Sequence, residues 1–217
     1  MVHPLKIAFS SRSVLGVQSG CGFVGAVRVQ RGLHGTKVSH AAFREVGEAE
    51  EPAAVLAQLL REEDLGAEFV ATSLPSVAAE LREVPASLRN PGKLARIIKY
   101  QVEELISVPI EETVVDFIPA GTNGHVLAAA VRKSAVAEHL EALSSAGLDP
   151  DRVTLDDLAL FSLYRRITGG DESREAVALV RIEPDRGGVQ ILRNGRLSLL
   201  RTLPTGQEGE EALVEAL

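Results

Sequence analysis

The chain is poor in the residues that announce a staple, a cofactor or a metal. Its 217 residues include one cysteine, Cys21, one methionine and no tryptophan, and aromatics make up only 4%. A lone cysteine excludes an intrachain disulfide and a Cys-x-x-Cys metal site, and leaves a reducing, cytoplasmic setting as the expectation. Excess positive charge is lacking as well: 23 Lys and Arg against 30 Asp and Glu give a net charge of −7. Nucleic acids and anionic membrane surfaces select basic stripes, so neither is an expected partner. No apolar run approaches the ~20 residues of a membrane span, and the N-terminus lacks the sustained apolar stretch of a signal peptide, so no direct membrane insertion is expected. The five histidines, His3, His34, His40, His125 and His139, show neither H-x-x-x-H nor H-E-x-x-H spacing. No metal site is expected from them. There is no G-x-S-x-G elbow and no G-x-x-x-x-G-K-[ST] loop, which removes the nucleophile and the phosphate lysine that hydrolase and P-loop chemistry need. No catalytic residue is expected, and the chain reads as a non-enzyme.

What is present is an ordinary globular composition, 45% hydrophobic and 24% charged, long enough for one large or two small packed units. The most informative stretch runs from Asn90 to Phe117. Asn90 is a good N-cap, and Pro91 stands at the first helical position, where its missing N–H costs nothing. Leu94, Ile97, Ile98, Val102, Leu105 and Ile106 recur at helical spacing as one apolar stripe, with Lys93, Arg96, Lys99, Glu103 and Glu104 largely off it. Pro109 stops that helix, and the β-branched run from Thr113 to Phe117 predicts a strand.

Upstream the pattern is β: strands are expected at Leu5–Phe9, Val14–Val17, Phe23–Gln30 and Lys37–Val46, with glycines and polar residues at the turns. A helix follows over Pro52–Glu63, closed by Gly66, then a strand at Glu68–Thr72. Downstream come a strand at His125–Val131, a helix over Ser134–Ala146 closed by Gly147, and a second helix to about Ile167. That second helix is opened by Thr154-Leu155-Asp156-Asp157, a capping-box pattern. Ala176–Glu183, Gly188–Arg193 and Arg196–Leu203 read as three more strands, the last two joined by Asn194-Gly195, a strong hairpin signal. Glu208–Leu217 reads as the start of a helix. The order strand, strand, strand, helix thus appears twice.

Lys99-Tyr100-Gln101-Val102-Glu103, Ile106-Ser107-Val108-Pro109-Ile110-Glu111-Glu112 and Val114-Val115-Asp116-Phe117 together resemble the "K-Y-E … P-F-P … E-E … D-Y" signature of PilM-like proteins. These are actin-like components of type IV pilus assembly, structurally related to the cytoplasmic domain of the type II secretion L protein (GspL). Leu74-Pro75 with Arg82 and Val84-Pro85 looks like the family's "L-P … R … L-P" strand, and Ala146-Gly147-Leu148-Asp149-Pro150 with Leu158-Ala159-Leu160 like its "A-G-L-x-P … A-L-A" segment. The resemblance covers roughly the middle half of the chain. It implies an α/β, actin-like fold of duplicated, ribonuclease H-like lobes: residues 1–75 as the first lobe, 76–150 as an inserted small subdomain, 151–170 as a helix completing the first lobe, and 176–217 as the start of a second lobe that is incomplete here. The implied role is a cytoplasmic scaffold, peripheral at the inner membrane, linking membrane-anchored pilus or secretion assembly proteins to the assembly ATPase. A homo-oligomer is compatible with it. The alternative is a nucleotide-binding ATPase or sugar-kinase-like member of the actin superfamily.

Gly20-Cys21-Gly22-Phe23-Val24-Gly25 matches G-x-G-x-x-G, which would suggest a dinucleotide site if a helix followed. The alternation of Ala26-Val27-Arg28-Val29-Gln30 predicts a strand instead, which sets the oxidoreductase reading aside. In the resemblance, Ser19, Gly20, Cys21 and Gly22 fall at a first phosphate loop and Gly187 and Gly188 at a second. The family's "D-I-G" acid is replaced by Gln18 in one and is absent from the other, where Glu183 and Asp185 lie nearby. Without that carboxylate the hard oxygen ligand magnesium prefers is missing, so no cofactor is expected and ATP with magnesium is expected to bind weakly if at all. The acid pairs Glu103-Glu104, Glu111-Glu112 and Asp156-Asp157 read as solvated faces and caps. Arg96, Lys99 and Tyr100 are the candidate partner-binding residues, on the strength of the resemblance, in which a cleft between the first lobe and the inserted subdomain receives a peptide.

Overall fold

A computed structural model of the chain describes residues 13–20, 22–32, 35–86, 90–120, 124–169, 176–183 and 186–204. The expected strand at Leu5–Phe9, the expected helix at Glu208–Leu217, and Cys21, Pro184 and Asp185 lie outside these residues. The chain separates into two compact units, one formed within His3–Leu74 and Ala135–Thr154, the other chiefly within Pro75–Ser134 and Leu155–Leu217.

The first unit is a five-stranded sheet with helices on it. Strands β1 (Ser13–Gly20), β2 (Phe23–Gly32) and β3 (Gly35–Glu45) form an antiparallel meander. Helix α1 (Pro52–Glu62) then returns the chain to β4 (Phe69–Leu74), which pairs parallel to β1. The order is β3-β2-β1-β4-β8, where β8 is Arg152–Leu155. Alternation sends Leu15, Val17, Val24 and Ala26 to one sheet face, where they meet Val55, Leu56, Leu59 and Leu60 of α1 and Leu143 of α3 (Lys133–Ser145). Pro52 opens α1 where a proline is tolerated. The left-handed residue after α1 is Asp64, with φ of 46°, not the expected Gly66. An aspartate tolerates that conformation better than most residues with a side chain, and the Leu65 N–H closes onto Leu60 O at 2.9 Å.

The second unit holds two three-stranded antiparallel sheets. One has the order β5-β7-β6, from β5 (Ala79–Pro85), β6 (Thr113–Ala120) and β7 (His125–Arg132). Helix α2 (Pro91–Glu103) lies on it, its N-terminus capped by the Asn90 side chain accepting from the Lys93 N–H. Leu94, Ile98 and Val102 bury against Val84, Phe117, Val126, Ala128 and Ala130. The other sheet has the order β11-β10-β9, from β9 (Ala176–Ile182), β10 (Arg186–Arg193) and β11 (Arg196–Pro204). Asn194 and Gly195 turn it with φ of 52° and 67°, as their chemistry predicts. Phe161 of α4 (Asp156–Ile167) packs there with Leu192 and Leu197.

Several expectations are corrected. Helix α2 ends at Glu103, so Leu105 falls past the stripe and is 45% exposed, while Val102 is fully buried. Thr154 does not cap a helix: it lies in β8, and α4 starts at Asp156 with no side-chain cap. The expected boundaries of 76–150 and 151–170 do not coincide with the compact units. Leu143, Ala146 and Leu148 belong to the core of the first sheet, and α4 groups with the second unit because Phe161 is buried there.

Candidate functional site

The first set of candidate residues sits at the β1–β2 turn. Gly20 pairs with Phe23, and Gly22 has a φ of 75°, which a side chain would strain. The Gly22 carbonyl accepts from the Val46 N–H at 2.7 Å, fastening the turn to the end of β3. Ser19 is half-buried and paired with Val24, and Gln18 pairs with Gly25. Strand β2, not a helix, follows the glycines, so the dinucleotide reading lacks the element it requires.

The second set is placed differently from expectation. Gly187 and Gly188 are not in a loop but inside β10, both buried and paired with β9 and β11. A Cβ at Gly188 would lie 2.6 Å from Asp157 Oδ1 and 3.0 Å from its Oδ2. Glycine is needed there so that strand backbone can approach a carboxylate, not so that it can cradle phosphate.

That carboxylate belongs to a buried cluster, where the sequence pattern predicts a solvated cap. Asp156 and Asp157, in the first turn of α4, are 8% and 0% exposed. Asp156 Oδ1 accepts from the Ser76 N–H at 2.8 Å, from Ser76 Oγ at 2.5 Å and from the Asp157 N–H at 2.8 Å. Arg181 of β9 donates from Nε to Asp157 Oδ1 at 3.0 Å, and its Nη2 lies 3.3 Å from Asp156 Oδ2. Its Nη1 lies 2.7 Å from Glu183 Oε1, while Arg186 Nε donates to Glu183 Oε2 at 2.9 Å. Gln190 donates from Nε2 to the Asp157 carbonyl at 2.8 Å. Burial alone would lower the Arg181 pKa, but the hydrogen bonds to Asp157 and Glu183 and the charge of both aspartates hold it above the ordinary arginine value. Adjacent acids at a helix start gain from the helix dipole, and a β-strand arginine two residues from Glu183 meets them, a pairing with no sequence signature.

Magnesium-bound nucleotide, which the actin-like resemblance brings to mind, fits these residues poorly. Strand β1 carries Gln18 where the resemblance implies an acid, and Asp156, Asp157 and Glu183 are already paired with Arg181 and Arg186. Among the described residues no three His, Cys, Asp or Glu side chains converge to hold a metal.

Arg96, Lys99 and Tyr100 are all exposed on α2, away from its buried stripe. Tyr100 is 65% exposed with Lys99 Nζ 5.8 Å from its ring centroid. A cation over a ring at such a site contributes about 0.5–1 kcal/mol and presents an amphipathic surface. Below the helix end, Glu80 of β5 accepts from Ser107 N–H and Oγ and from Arg82, whose Nε donates to Leu105 O. The Ser107 hydrogen bond holds the Glu80 pKa below the ordinary glutamate value.

The family model of type IV pilus assembly protein PilM matches residues 32–213. The chain belongs to the PilM family. Among solved structures, the PilM–PilN type IV pilus biogenesis complex is similar at a TM-score of 0.75 and 25% identity, over 94% of this chain and 65% of that one. This PilM-family chain therefore spans a little under two thirds of the length of that relative. The cytoplasmic domain of EpsL, an inner membrane component of the Vibrio cholerae type II secretion system, shares the fold at a TM-score of 0.59 and 14% identity, over 88% of this chain and 71% of that one. A Bacteroides thetaiotaomicron protein with an actin-like ATPase fold shares it at 0.58 and 11%, over 99% and 78%. No curated protein matches. The actin-like fold expected from the sequence is therefore the fold of this PilM-family chain.

Proposed function

We propose that this chain acts as a cytoplasmic, actin-like scaffold at the inner membrane, joining a membrane-anchored assembly protein to the assembly ATPase of a type IV pilus or type II secretion platform. The observation that carries this reading is the match to PilM of the PilM–PilN complex over 94% of the chain. A PilN-like protein is accordingly the membrane-anchored partner proposed here. Consistent with anchoring through a partner, no helix among the described residues is long and apolar enough to cross a membrane. The contact is proposed to include Arg96, Lys99 and Tyr100, where an exposed ring with the Lys99 cation over it and a second exposed cation on the same helix suits an extended segment bearing carboxylates or carbonyls.

The test is co-purification with the PilN-like protein and the assembly ATPase of the same organism, using the wild type and Arg96→Glu with Tyr100→Ala. These side chains are solvent-exposed, so the melting temperature should stay within about 2 °C, because exposed substitutions rarely cost more than ~0.5 kcal/mol. Capture of one partner should fall at least tenfold. Full capture of both partners by the variant would remove α2 from the interface. Failure of the wild type to capture either partner would overturn the scaffold reading itself.

A further inference from the structure

A strand at a sheet edge offers unpaired N–H and C=O groups, and charged side chains, bulges or short length normally keep other chains off it. Among the described residues most edges are guarded in this way. Edge strand β3 carries Lys37, His40 and Arg44, and a bulge where it passes Arg28 and Val29 of β2. Edge strand β8 has only four residues, β5 carries Glu80, Arg82 and Glu83, and β6 and β11 lie beside one another. Strand β9 has none of these devices. Its side chains alternate: Val177 and Leu179 turn to the Phe161 core and Arg181 to the α4 aspartates, while Ala176, Ala178, Val180 and Ile182 are exposed. The exposed row is apolar throughout, with Ile182 75% and Val180 41% in solvent.

The backbone of that row points outward as well. The Glu183 N–H donates to Arg186 O, and the register pairs Ile182 with Gly187. Hydrogen-bonded pairs alternate along an antiparallel ladder, so the N–H and C=O of Val177, Leu179 and Arg181 face β10. Those of Ala178, Val180 and Ile182 therefore face away from it, and among the described residues no strand pairs with them. We propose that β9 is a homodimer edge: a second copy of the chain adds its own β9 antiparallel, around a two-fold axis at Leu179, joining two three-stranded sheets into one of six. The strand is complementary to itself in that register. Ala176 lies opposite Ile182 of the second copy and Ala178 opposite Val180, a small side chain facing a larger one in each pair. Outward-facing residues meet only outward-facing residues, as the ladder requires, and no like charges are opposed. A strand of this length spans roughly 23 Å, so the area buried stays below the ~1,200 Å² of a standard stable interface and the pair is weak and reversible. The inference does not depend on the partner reading above, because none of its residues lies on α2.

The experiment is sedimentation equilibrium of the full chain from about 1 to about 200 µM, the range in which a weak pair dissociates. Wild type should pass from monomer to dimer across it. Val180→Lys and Ile182→Lys, each placing a charge on the exposed row, should weaken the dimer at least tenfold and leave the far-ultraviolet circular dichroism unchanged. In a Cys21→Ser background, Leu179→Cys should give a disulfide-linked dimer on mild oxidation. Residues of a non-hydrogen-bonded antiparallel pair stand about 4.5 Å apart at Cα, within disulfide reach. Ala176→Cys, which the same register puts at opposite ends of the paired strands, should not crosslink. A wild type that stays monomeric at the highest concentration overturns the proposal and leaves the edge to a strand of another protein. A dimer that both lysine variants retain overturns it too, since the interface then lies elsewhere. Faster crosslinking through Ala176→Cys than through Leu179→Cys overturns the two-fold pairing at Leu179.

Discussion

Gly188 shows how a single missing side chain can be structural where sequence suggests a ligand. Its position in Gly187-Gly188 invited a phosphate-loop reading, yet the residue is buried inside β10 with Asp157 against it. The Asp157 carboxylate is the tip of a side chain, which elsewhere could swing aside. Here it is fully buried and held by Arg181 Nε, so it has nowhere to go. Gly188→Ala should therefore destabilise the chain by about 1–3 kcal/mol, the ordinary cost of overpacking a filled interior. Urea denaturation followed by circular dichroism checks it, and an unchanged midpoint would mean that the strand and α4 stand further apart than described.

Helix α2 shows what amphipathic spacing can and cannot tell at the scale of an element. The stripe of Leu94, Ile98 and Val102 is read correctly from period and cap, because each of those positions meets the sheet beneath. Periodicity alone does not stop at Glu103, where the Leu105 N–H already turns back to Val102 O at 2.8 Å and leaves the leucine partly in solvent. Ile98→Ala should cost about 2–5 kcal/mol, as a large-to-small change in a core does. Leu105→Ala should cost well under half as much, so the ratio of the two midpoint shifts in chemical denaturation is the measurement, and equal shifts would extend the helix past Glu103. The same logic explains other gaps between sequence and structure. The four-residue strand β8 is too short for alternation to register, and Thr154-Leu155-Asp156-Asp157 imitates a capping box. The acid pair on α4 reads as a solvated cap because its partner, Arg181, lies 24 residues beyond Asp157, a distance no local pattern spans. By contrast Asn194-Gly195 and Asn90-Pro91 carry their structural instruction within two residues, and both act as expected.

At the scale of the whole molecule, membership of the PilM family and an actin-like fold raise the question of nucleotide, and the charge placement in each unit bears on it separately. In the first unit strand β1 carries Gln18, an amide, where the resemblance implies a metal-organising carboxylate. In the second unit the acids beside the β9–β10 hairpin are engaged: Glu183 by Arg181 and Arg186, Asp157 by Arg181. Magnesium-ATP that drew on these carboxylates would break a buried ion cluster whose dismantling leaves uncompensated charge, a loss of about 3–5 kcal/mol by the usual cost of removing one buried partner. A penalty of that size weakens binding by roughly two to four powers of ten. Isothermal calorimetry with magnesium-ATP should accordingly show no micromolar association, and phosphate release should not exceed the protein-free blank. Gln18→Asp should strengthen whatever residual binding exists, since it restores one hard oxygen ligand without disturbing the Arg181 cluster. Micromolar affinity accompanied by hydrolysis in the wild type would instead favour the ATPase reading, and would require the carboxylates of α4 to part from Arg181 when nucleotide arrives.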